Sequence, residues 1–139
     1  MVEPVHGRVL VVDDERDFAA SLADILQSRG MEPRIAATAE EAQAASAGWE
    51  PEVALLDVRL GHTNGVDLIP QLQARRPGLV CLMLTGYADT DTAIAALQKG
   101  AYDFLRKPVD VAVLLAAIGR ALEKGRMDQE RSRTQAALR

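Results

Sequence analysis

VLVVDD at residues 9–14 and VALLD at residues 53–57 are apolar runs that each end in acid. A strand covered on both faces, as in a parallel sheet with helices on each side, reads as an unbroken apolar run. Asp13, Asp14 and Asp57 therefore stand where strands stop and loops begin, at the carboxyl edge where open α/β sheets build their sites. Three like charges gathered there repel strongly unless a cation or a transferred group belongs to the arrangement. Two more strand-like runs add a hydroxyl and an amine: Leu82-Met83-Leu84 leads to Thr85, and Phe104-Leu105-Arg106 leads to Lys107-Pro108. An acid pair, a single acid, a hydroxyl and a lysine together suit a divalent cation and a phosphoryl group.

Working outward, strand-like and helix-like segments alternate. Phe18, Leu22, Ile25 and Leu26 recur at helical spacing, and Ser28-Arg29-Gly30 supplies a stop. A short strand is expected around residues 32–35. Thr38 with Glu41 three residues later forms the pattern of a capping box, opening an Ala-rich helix that ends near Gly48. Val66, Ile69 and Leu72 mark a third helix, and a fourth is expected from about Thr90 to Gln98, closed by Gly100. After a last strand at residues 102–106, Val111, Leu114, Leu115, Ile118 and Leu122 line one face of a fifth helix. The expected fold is α/β: a doubly wound parallel sheet of five strands with five flanking helices.

With 139 residues, 48% of them apolar and only 4% aromatic, the chain has enough aliphatic material for one buried domain and a short extension. Its net charge of −4 is unevenly spread. Residues 1–123 are acidic, whereas residues 124–139 carry five Lys/Arg against Asp128 and Glu130. The expected division is a domain at 1–123 and a helical or flexible connector at 124–139, with Gly125 interrupting the helical pattern. An acidic body argues against nucleic-acid contact by the domain itself. The lone Cys81 excludes an intrachain disulfide and a cysteine metal cage, and its apolar neighbours predict a buried small hydrophobe. No run approaches the roughly 20 apolar residues of a membrane span, and the N-terminus has no signal-type pattern. No membrane contact and a cytoplasmic location are the expectation.

The constellation resembles the response-regulator receiver domain of two-component signalling. The matching motifs are VLVVDDE, VALLDVRL, MLTGYA and GAYDFLRKP, in that order and each at a strand end, over roughly residues 7–123. The resemblance implies the flavodoxin-like receiver fold with strand order 2-1-3-4-5. It implies a phosphoacceptor at Asp57, Mg²⁺ (or Mn²⁺) held by Asp13, Asp14 and Asp57, and phosphoryl contacts from Thr85 and Lys107. It further implies a cis Lys107–Pro108 bond, a switch made of Thr85 and Phe104, and tuning positions at Arg59 and Tyr87. The donor would be a histidine kinase or phosphotransfer protein, and the phosphoryl group would be lost by slow autodephosphorylation. Output would pass through the face made by the fourth helix, the last strand and the fifth helix, where mixed charges at Asp89, Asp91, Lys99, Asp103, Arg106 and Arg120 suit a homodimer or an effector. Such a protein is a switch that catalyses its own phosphoryl uptake rather than an enzyme with a separate substrate.

The chain departs from the family at Gly61, where receivers commonly carry proline, so a looser loop is expected through His62-Thr63-Asn64. His62 itself is expected to be solvated. Asp14 and Asp17 are also placed to cap the first helix. Two other readings compete. A haloacid-dehalogenase-type phosphatase needs Asp-x-Asp on its first strand, but here the acids are adjacent. A receiver that binds partners without phosphate would have no need of the full acid, hydroxyl and lysine set. The Arg-rich tail resembles connectors that lead into a sensor, kinase or other output domain, and the central motifs resemble receivers joined to transcriptional activators or kinases.

Overall fold

The computed structural model describes residues 6–86 and 90–137. The chain alternates β1 (Arg8–Val12), α1 (Arg16–Ser28), β2 (Glu32–Ala36), α2 (Ala39–Gly48), β3 (Val53–Asp57), α3 (Gly65–Arg75), β4 (Val80–Thr85), α4 (Thr90–Gln98), β5 (Ala101–Arg106) and α5 (Val111–Ala137). A two-stranded antiparallel ribbon, Arg59–Leu60 against Thr63–Asn64, sits between β3 and α3. The five main strands form one parallel sheet in the order β2-β1-β3-β4-β5, which is the expected doubly wound topology.

The apolar runs explain why the inner strands take the centre. Leu10, Val12, Ala54, Leu56, Cys81 and Met83 project into a core shared with α2, α3 and α4. Val9, Val11, Val53, Leu55, Leu82 and Leu84 alternate to the opposite core, against Leu22 and Leu26 of α1 and Leu114, Ile118 and Leu122 of α5. Nearly every residue of β1, β3 and β4 is thus buried on one side or the other, at roughly 1.5–3 kcal/mol for each large side chain. Pro33 and an exposed pattern confine β2 to the edge. Cys81 lies within the first core, where burial pushes its thiol up to about 12 and keeps it un-ionised at neutral pH.

Local signals act as the sequence suggests at α2: Thr38 Oγ1 accepts from Glu41 N–H at 3.1 Å, and Glu41 accepts from Ala37 N–H at 2.6 Å. At α1 they do not. Glu15 is the N-cap and its side chain makes no capping bond, while Asp14 Oδ2 accepts from Gly61 N–H at 2.9 Å. The expected capping by Asp14 is therefore replaced by a tie to the loop after β3. That tie, with the ribbon at Arg59–Asn64, closes a segment expected to be loose. Gly61 reaches the required turn at φ +59, a region that costs other residues.

Helix α5 runs through Gly125 without a break. Gly125 passes close to Val80 and the Gly78 carbonyl. The next residue, Arg126, holds Glu52 at 2.9 Å and the His6 carbonyl at 2.8 Å. A weak helical pattern is here carried by close packing and an ion pair at the amino edge of the sheet.

Gly65 is the tightest position. Its N–H donates to the Val58 carbonyl at 2.7 Å, and an added Cβ would collide with the backbone carbonyl of Asp57. Gly65→Ala is expected to cost about 1–3 kcal/mol in urea unfolding. Gly119→Ala in α5, where a Cβ meets nothing within 4 Å, should instead gain about 0.5–1 kcal/mol. A neutral Gly65→Ala would contradict this packing.

Candidate functional site

Register carries the sequence-predicted residues to one place. Val12 pairs with Leu56, Asp57 with Leu84, and Thr85 with Arg106. The next residues along the carboxyl edge are Asp13, Asp57, Thr85 and Lys107, from β1, β3, β4 and β5 in turn. The order of strands reverses between β1 and β3, the point at which open parallel sheets leave a crevice. Lys107 N–H donates to the Thr85 carbonyl at 2.8 Å, extending the β4–β5 ladder to the site, and the Lys107–Pro108 bond is cis.

The lysine is the hub. Its Nζ lies 3.1 Å from Asp13 Oδ2 and 3.2 Å from Asp57 Oδ2. Asp13 Oδ1 accepts from Glu15 N–H at 2.8 Å, and Asp57 Oδ1 accepts from Arg59 N–H at 3.0 Å. Ligand atoms of Asp13, Asp14 and Asp57 all fall within 4.8 Å of one another. Each oxygen keeps a free lone pair after these bonds, so the set fits a hard divalent cation that prefers a few carboxylates and its own waters.

Beside this cluster, Asp57, Arg59, Thr85, Gly86 and Lys107 line an open cleft of about 330 Å³, ample for a phosphoryl group. A Cβ at Gly86 would meet nothing within 4 Å, so the mouth is open there without being forced by a contact. Glu15 and Thr92 also line the cleft and were not singled out from sequence. Their signal was positional: Glu15 caps α1 after β1, and Thr92 lies in the first turn of α4 after β4. Phe104 lies back on β5, half-buried against the core on the α2–α4 side, and does not line the cleft. Tyr87 and Asp89 lie outside the described residues.

The model of the response regulator receiver domain matches residues 9–119. This chain belongs to that family.

The receiver is 36% identical over 110 residues to the photosynthetic apparatus regulatory protein RegA of Rhodovulum sulfidophilum, covering 79% of this chain and 60% of that protein. With the nitrogen assimilation regulatory protein NtrX of Azorhizobium caulinodans it shares 35% over 124 residues, 88% of this chain and 27% of that one. The chain thus spans from about a quarter to three fifths of these relatives. Among solved structures, a CheY-like receiver domain protein from Methanospirillum hungatei superposes with a TM-score of 0.83 at 33% identity, covering 89% of this chain and 99% of that one. A response regulator from Burkholderia pseudomallei, solved with a phosphorylated aspartic acid, calcium ion and citrate, gives 0.78 at 34% identity, covering 88% and 72%. Receivers of this kind are signalling domains of two-component systems, and phosphorylation on aspartate is general among them. Among the described residues of this receiver, no helix is long and apolar enough to cross a membrane.

The charge balance of the receiver's site is uneven. Asp13 is fully buried, and that burial, with Asp57 nearby, raises its carboxyl above the ordinary value despite bonds from Glu15 N–H and Lys107. For Lys107 burial is also the largest influence and pulls downward, but the two carboxylates together outweigh it and hold the ammonium above its ordinary value. One cation shared by two acids satisfies the lysine better than it satisfies the buried Asp13.

An acid whose folded pKa lies above its unfolded value costs stability when ionised. The cost is full above the folded value and vanishes below the unfolded one. Asp13→Asn should therefore stabilise the metal-free domain at pH 7, seen as a higher midpoint in thermal or urea unfolding. That gain should fade as the pH falls towards 3.8. Destabilisation at pH 7 would show that Asp13 is a net structural asset in its charged form.

Proposed function

We propose that this domain is a phosphorylation switch in which Asp57 is the acceptor. The observation that carries the reading is Asp57 lining an open cleft, with the Lys107 ammonium on one oxygen and Asp13 and Asp14 clustered with it. A phosphorylated aspartic acid in the similar Burkholderia protein supports it. A histidine kinase or phosphotransfer protein presents a phosphohistidine. An Asp57 oxygen forms the new P–O bond as the P–N bond breaks, and the imidazole leaves carrying a proton from solvent. Water later attacks phosphorus, releasing inorganic phosphate and restoring the carboxylate.

Asp13, Asp14 and Asp57 would hold Mg²⁺ or Mn²⁺, which when bound offsets phosphoryl charge in the transition state. The calcium ion in the Burkholderia structure supports a hard cation. Lys107 is a mobile point charge that follows the phosphoryl oxygens. Thr85, which also lines the cleft, offers a hydroxyl, and the Arg59 N–H fixes the acceptor carboxylate. Arg59 and Tyr87 are assigned to control of water access.

Drawing Thr85 towards the phosphoryl group makes room for the Phe104 ring to turn inward, and the α4-β5-α5 face changes shape. Phe104 has no hydroxyl, so packing alone separates its two states. On that face Ile94 and Leu97 are 48% and 45% exposed, beside Tyr102 and the pair Asp103–Arg120 at 4.0 Å. Apolar groups ringed by charge suit a second copy of the domain or an effector. The longer relatives support a role as the input module of a larger regulator.

Asp57→Asn should abolish labelling by acetyl phosphate and the response to beryllofluoride, with the circular dichroism spectrum retained. Labelling that persists in the folded variant would move the acceptor elsewhere. Removing Mg²⁺ with a chelator should stop labelling of the parent domain.

A further inference from the structure

Two carboxylates are not the only groups around the Lys107 ammonium. Its Nζ also lies 4.2 Å from the centroid of the Phe18 ring. An ammonium carries three N–H donors, and the oxygens of Asp13 and Asp57 engage two of them. The negative face of an aromatic ring attracts what remains of the charge. Phe18 comes to this place as the third residue of α1, in the turn that rises directly after Asp13 and Asp14. Its ring is partly buried against the α1–α5 core while meeting the lysine at the cleft.

We infer that Phe18 is a positioning residue for phosphoryl uptake, its ring holding the Lys107 ammonium beside Asp57 through a cation–π contact. This rests on the function proposed above. The reason lies in what each partner of Lys107 must do. Asp13 and Asp57 both belong to the cluster suited to a cation, and Asp57 also receives the phosphoryl group, so their hold on the lysine falls as the site is loaded. The ring is neutral and coordinates nothing, so its hold does not fall. A lysine has a flexible four-carbon stem with much rotamer freedom, and the Lys107 side chain is 19% exposed. Without the ring, part of its population would leave the cleft for solvent once a cation draws on the carboxylates and before a phosphoryl oxygen is in place to receive the ammonium.

Phe18 as a mere core ring is the competing explanation, and substitutions separate the two. Phe18→Leu keeps apolar bulk and loses the ring, Phe18→Met does so with a flexible side chain, and Phe18→Tyr keeps the ring. Two measurements apply to each folded variant. In NMR spectra the ring current should shift the Lys107 ε-methylene protons upfield in the parent and in Phe18→Tyr, and the shift should vanish in Phe18→Leu and Phe18→Met. The rate of labelling by acetyl phosphate and the affinity for beryllofluoride should fall about tenfold in the two ring-less variants and stay near the parent value in Phe18→Tyr. Parent-like labelling by a folded ring-less variant, or unshifted lysine protons in the parent, would overturn the inference while leaving the proposed function standing. A parent domain that takes up no phosphoryl group would overturn both.

Discussion

One ammonium stands between two carboxylates, and the carboxyl edge of the sheet is organised around it. Lys107 follows the edge strand β5, Asp13 follows β1, and Asp57 ends β3, so contacts of 3.1 and 3.2 Å require β4, lying between β3 and β5, to be in register as well. The aliphatic cores on both faces supply that register, because a one-residue slip in a doubly covered strand would exchange one packed face for the other. Stability invested in the cores thus sets distances at a site that is itself electrostatically short of positive charge. Domains commonly concentrate their perturbed groups at such places, and a fully buried Asp13 in that position is best explained by chemistry rather than by folding.

Most of the fold and the acid, hydroxyl and lysine positions were legible because strand ends are easy to read when strands are buried on both faces. Each apolar run names its own last residue, and the chemistry follows one position later. What escaped the sequence depends on contacts between segments distant in the chain. Asp14 looked like a helix cap, yet it accepts from Gly61, 47 residues away. The loop after Asp57 looked loose because it lacks a proline, yet it closes as a ribbon. Phe18 belonged to an ordinary helical stripe, and only the return of β5 to the same edge puts a lysine against its ring. Gly125 weakened the helical pattern locally, but the helix there leans on Val80 and Gly78, and Arg126 fastens it to Glu52.

Two ends of the molecule are therefore built differently. The carboxyl edge gathers charge and an open cleft. The amino edge gathers the long α5, whose turns beyond Leu122 are largely exposed but are tied down by Arg126 at a sheet end remote from Asp57. β5 carries Phe104 in its middle and ends at Arg106, one residue before Lys107. One strand thus joins the charged site to the exposed α4-β5-α5 face.

Lys107 and a divalent cation would draw on the same carboxylates, those of Asp13 and Asp57. Calorimetric titration of Mg²⁺ into the parent domain and into Lys107→Met measures that competition. Removing the ammonium frees oxygens of Asp13 and Asp57 and deletes a repulsive charge, so Mg²⁺ should bind the variant about tenfold more tightly, equivalent to about 1.4 kcal/mol. Equal or weaker binding by a folded Lys107→Met would contradict it.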